Sequence, residues 1–263
     1  MQMISWLKTR KIGFWLIIIM IFSFLLKCLY RHLDPVISRD ACLYIRLSQT
    51  WYDTGSFQEV LNASETRLPP LLFFLMKCLM HLGLSAETSG VWLNLVLGTF
   101  TPLLTYGIAY EVTQRKDVSI ASAILIAVSP SMNLLAVAVQ RDMLYLFFIG
   151  LGLWFLAAGI RHSQWYYWVG VGIADGFAML TRYETLEMLV IVPMTLILMC
   201  VGDYLSWKKG LRYTGLFGIG FAGTVFALSF LMQVQNDLIM NYADYCQWKI
   251  EKQIDFETGI PHI

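Results

Sequence analysis

Charge is what this sequence has least of. Only 14% of its 263 residues are Asp, Glu, Lys or Arg, and the formal net charge is +1; a soluble domain carries about one quarter charged residues. A balance so near zero gives no global field for nucleic acid, and no nucleic-acid partner is expected. Cysteine is sparse and scattered: Cys28, Cys42, Cys78, Cys200 and Cys246 show no C-x-x-C spacing. That argues against a zinc site and against a disulfide framework, and no metal or other cofactor is expected. Internal repeats and low-complexity stretches are missing, so the chain is not a solenoid, a collagen or a linker. A small-x-small cleavage site is missing too. Lys8, Arg10 and Lys11 precede an apolar run, 12–26, but Lys27 and Tyr30 follow it. The run is therefore read as a first span that stays in the membrane.

What is abundant is apolar surface. Hydrophobic residues make up 57% of the chain. About 20 apolar residues are needed to cross the hydrocarbon core as a helix. Seven segments qualify: 12–30, 88–110, 118–138, 142–160, 165–181, 185–201 and 211–232. Helices are the expected solution because each satisfies its own backbone in lipid. The expected fold is an all-α polytopic membrane bundle. The segment 69–83 is apolar but short, and it carries Lys77 and His81. Its length suits an interfacial or re-entrant helix better than a span.

Basic residues arbitrate the topology. If 69–83 does not cross and the N-terminus is cytoplasmic, nine residues lie inside: Lys8, Arg10, Lys11, Arg115, Lys116, Arg161, Lys208, Lys209 and Arg212. If it crosses, the last six move outside. The positive-inside bias favours the first arrangement. It makes 1–232 a transmembrane module with an outer loop, 31–87, and leaves a polar segment, 233–263, on the outer face. It also gathers the ionisable residues at 40, 141–142 and 182–184 at one membrane face.

Asp40 opens an amphipathic stretch in which Leu43, Tyr44, Leu47 and Trp51 recur at helical spacing. Ser38 is the expected N-cap and Gly55 the expected stop. Asp40 then either does chemistry or merely complements the helix dipole. Arg67 stands before Pro69-Pro70, where it could hold a phosphate or anchor to lipid headgroups. Asp142 follows Arg141 at the start of a span, also a dipole-friendly position. Arg182, Tyr183 and Glu184 sit between two spans with almost no loop. Charges so near the hydrocarbon usually face a wet cavity or a partner, though snorkelling is the plainer alternative. Asp175 lies mid-span among glycines, which leaves a proton relay open. Asn62-Ala63-Ser64 matches a glycosylation sequon.

The order of these pieces resembles a known superfamily. A first span is followed by an outer-loop Asp with Tyr four residues on (Asp40, Tyr44), a glycine (Gly55) and an R-x-P-P-L start at 67–71. Next come a proline near a span end, an acidic residue opening the following span, and G-x-A-M-L-T-R-Y at 176–183. This resembles the GT-C membrane glycosyltransferases, in the branch of protein mannosyltransferases and aminoarabinose transferases, over about residues 12–232. The resemblance implies seven spans with helices in the first outer loop. It also implies a polyprenyl-phosphate-linked sugar donor, membrane lipids around it, and a glycan, lipid or protein acceptor at the outer face of the plasma membrane. By the same resemblance Asp40 is the base and Asp142 contributes beside it. Arg182 and Arg67 hold the carrier phosphate, with Tyr44, Arg141, Tyr183 and Glu184 completing the substrate-binding set. Departures are Arg39 before Asp40, Arg67 where relatives carry a Lys, and a chain that stops after one polar outer segment. The last leaves room for a truncated enzyme or a second membrane subunit. A transporter or lipid flippase, resting on Asp175, is the competing class, and a non-catalytic subunit the third.

Overall fold

The computed structural model describes residues 2–33, 38–63 and 68–234, with residues 2–11 described by backbone alone. Every regular element among them is a helix. Five stretches are long and apolar enough to cross a membrane. They are Ile12–Leu33 of α1 (Gln2–Leu33), α5 (Ala86–Thr113), α8 (Arg141–His162), Tyr183–Val201, and α11 (Trp207–Leu231). The fourth joins a short 3-10 helix, Tyr183–Glu187, to α10 (Met188–Val201). Their outer faces show large apolar side chains more than half exposed, among them Leu25, Val190, Ile219 and Phe226. Such a surface suits lipid and not water.

The expected span 118–138 is not one straight helix. It is α6 (Lys116–Val128) and α7 (Pro130–Val137), bent by 55° at Ser129. Pro130 supplies the cause: its ring disfavours a helical Ser129, whose ψ is 119°. Counted as one, this pair is a sixth crossing. The segment 165–181 forms α9 (Trp165–Met179), at 15 residues shorter than a full span.

The short segment 69–83 becomes α4 (Leu71–Met80), ten residues long. That is about 15 Å, half the hydrocarbon core. The Leu71 N–H donates to the Leu180 carbonyl at 2.9 Å. α4 also packs under α2 (Arg39–Thr54), with Lys77 Nζ 5.2 Å from the centre of the Trp51 ring. A few residues later α5 begins at the level of Arg31, which pairs with Glu87 at 2.5 Å. Both ends of α4 therefore lie at one end of the bundle, and the chain does not cross there.

Side-chain contacts fix the two ends independently of any membrane. At one end Arg31 meets Glu87 and Asp142 meets Arg182. At the other, Glu111 holds Arg161 at 2.8 Å and His162 at 3.2 Å, and the Tyr213 hydroxyl donates to the Ser163 carbonyl at 2.6 Å. α2, α3 (Phe57–Asn62) and α4 roof the first end. Their Tyr44, Leu47, Trp51, Phe57, Leu72 and Met76 form a buried cluster with Leu144, Leu180 and Tyr183 beneath.

Candidate functional site

α2 is delimited as its sequence demands. Ser38 Oγ accepts the Ala41 N–H at 3.2 Å, satisfying one free donor of the first turn. Gly55 ends the helix with φ 72°, and its N–H donates to the Trp51 carbonyl. Between these caps Asp40 is exposed in the first turn, while Tyr44, one turn on, is buried.

Tyr44 is the hub of the arrangement. Burial raises its hydroxyl above the usual tyrosine range, so the phenol stays protonated as a donor. Four charged groups also act on it: Arg141 and Arg182 pull it back down, while Asp40 and Asp142 push it up. These residues come from α2, the start of α8 and the loop after α9, three separate parts of the sequence.

Arg182 is the second focus. Its Nη1 donates to Asp142 Oδ1, its Nε faces Glu184 Oε2 at 3.6 Å, and its guanidinium lies 5.5 Å from the centre of the Tyr145 ring. Burial works against the charge, but Asp142 and Glu184 outweigh it and hold the pKa above the ordinary arginine value. The loop is positioned by the Leu71–Leu180 bond, which docks the Pro-Pro start of α4 two residues before Arg182. Tyr183 is buried in the roof cluster. Arg67 lies outside the described residues. The sequon is cut by the same boundary, since Ser64 is outside them too.

Two contributors were missed by the sequence argument. Tyr145 was legible in principle, since three residues after Asp142 on a helix puts it on the same face. Asn94 was not: its amide donates to the carbonyls of Ala138 and Gln140 at 2.6 and 2.7 Å, holding the turn that presents Arg141 and Asp142. Among the described residues no group of three or more His, Cys, Asp or Glu is placed to hold a metal.

A multi-helix membrane protein with a charged, hydroxyl-bearing site gathered at one end of its bundle is the class this geometry defines. The family model for dolichyl-phosphate-mannose-protein mannosyltransferases matches residues 67–233. The chain belongs to that family, and is a membrane glycosyltransferase module of GT-C type. Comparison with curated proteins gave no match.

Proposed function

We propose that the protein transfers a sugar from a polyprenyl-phosphate carrier to an acceptor hydroxyl or amine at the outer membrane face, with inversion at the anomeric carbon. Seven crossings, with α9 as the short one, would put the site on that face and the N-terminus in the cytoplasm. The supporting observation is the Arg182–Asp142 ion pair, with Glu184 beside it, at the end of the bundle roofed by α2 and α4, where Asp40 and Arg141 also act on Tyr44.

In this scheme the Asp40 carboxylate takes the acceptor proton as the acceptor oxygen or nitrogen attacks the anomeric carbon. The bond from that carbon to the phosphate oxygen breaks, and the polyprenyl phosphate leaves with the electron pair. Arg182 and Arg67 stabilise the charge growing on it. The guanidinium suits this role because it stays charged and presents five donors in a planar fork. Arg141, Tyr44 and Glu184 line the sugar side. The lipid tail lies among the helices and supplies binding energy by burial. No metal is needed by any step.

The test is native mass spectrometry of the purified protein with added polyprenyl phosphates. Specific retention, weakened by Arg182→Ala, supports the phosphate site. Asp40→Asn is then expected to keep retention while lowering transfer by about a hundredfold or more, the usual worth of a positioned general base. Equal retention of every anionic lipid would remove the basis for the carrier, and full turnover of Asp40→Asn would remove the base.

A further inference from the structure

The span that delivers Asp142 is the broken one, and its break is built around a lysine. Lys27 of α1 is 1% exposed. Its Nζ donates to Ser23 Oγ at 2.7 Å, one turn back, and to Asn133 Oδ1 of α7 at 3.0 Å. Asn133 is also buried, and its Nδ2 donates to the Ala127 carbonyl at 3.2 Å. That carbonyl belongs to the last turn of α6, where helix carbonyls lose their intrahelical partners. Asn133 thus satisfies the group that the bend sets free, and Lys27 holds Asn133.

α5 closes over this node. A Cβ added at Gly98 would lie 2.9 Å from Lys27 Cε and 2.5 Å from Ala136 Cβ. Downstream, α7 runs into the 138–140 turn gripped by Asn94, and the next two residues are Arg141 and Asp142. A continuous path of hydrogen bonds and helix leads from Lys27 to the carboxylate paired with Arg182.

A lysine at this depth is expensive, and both of its acceptors among the described residues are neutral oxygens. A leucine would cover the same surface at less cost. What the lysine adds is a fixed direction for α7. We propose that Lys27 is a positioning residue that pins the 55° break and thereby sets Asp142 against Arg182. The functional consequence rests on the site described under Proposed function; the pin itself does not.

Hydrogen–deuterium exchange of the full-length protein in detergent reads the pin directly. Lys27→Met keeps the stem and removes the donors, and Asn133→Leu removes the partner. The double variant strands neither side chain, so its melting temperature should recover toward wild type. Backbone exchange over 129–143 is expected to be about tenfold faster in Lys27→Met, with α9 to α11 unchanged, and to stay fast in the double variant. If exchange recovers together with melting in the double variant, Lys27 only fills space and the proposal fails. Wild-type exchange in all three variants overturns it as well. Polyprenyl-phosphate retention is measured on the same samples. A wild-type protein that retains none sinks the carrier site, while the exchange result still decides the pin.

Discussion

At the scale of single residues, the site is over-supplied with negative charge. Arg182 is already held by Asp142 and Glu184, and Tyr44 feels Asp40 and Asp142 as well as Arg141 and Arg182, so a phosphate entering near Arg182 must displace a carboxylate or gain a further cation. Arg67 is the cation that the sequence offers. In the proposed scheme Asp142, bonded to Arg182, is the counter-ion that keeps the guanidinium aimed while no phosphate is bound. Asp142→Asn should therefore strengthen polyprenyl-phosphate retention by about two- to fivefold, the worth of a half-exposed ion pair, while lowering turnover. Weaker retention in that variant would assign Asp142 a direct hold on the ligand. The pH dependence has a definite sign. Arg182 is charged throughout, because its carboxylate neighbours raise its pKa further. A phosphate monoester takes its second charge near pH 6, so retention should rise from about pH 5 to 7 and stay level to about pH 9. A fall between pH 7 and 9 would point to a lysine. The sequence named Asp142 and Arg182 separately because each has a local signature at a helix end. Their pairing across forty residues had none.

Among elements, the boundaries of α2 were legible because Ser38 and Gly55 satisfy backbone groups locally. The break within 118–138 was not foreseen because its hydropathy is continuous through Pro130, and apolar pattern does not report direction. Lys27 was visible only as an interruption after the first apolar run, since its partner Asn133 lies on another helix. Packing between α8 and α9 was only hinted at by the glycines. There a Cβ on Gly152 would lie 2.6 Å from Asp175 Oδ1. Gly152→Ala should lower stability by about 1–3 kcal/mol, as overpacking of a tight interior does. Gly218→Ala on α11, with open space around it, should be neutral or slightly stabilising. Thermal melts of the two variants in one detergent make the comparison. Equal melting temperatures would mean that α8 and α9 separate easily there.

For the whole molecule, the contacts at the two ends of the bundle supply a check that hydropathy cannot. Helix ends joined by Arg31–Glu87 and Asp142–Arg182 must share one side, and those joined by Glu111–Arg161 and Tyr213–Ser163 must share the other. The basic turns at Arg115-Lys116 and Arg161, and the start of α11 with its Lys208, fall on the second side, where the positive-inside bias would put the cytoplasm. The pairings are compatible with seven crossings only if α9, despite its 15 residues, carries the chain from Ser163 to Arg182. Its neighbours make this physically reasonable. Bilayers thin around short hydrophobic helices, and α9 is shielded by α8 and α11. Single cysteines at Asp53, Gln114, Ser163 and Asp203, on a chain with its native cysteines replaced, test the whole arrangement. An impermeant maleimide on intact cells should label position 53 alone, and permeabilisation should expose the other three. Labelling of 163 from outside, with 114 still protected, would break the alternation between α5 and α8. Labelling of 203 alone from outside would show that α9 does not cross, and would leave the Arg182 loop on the cytoplasmic side, away from Asp40.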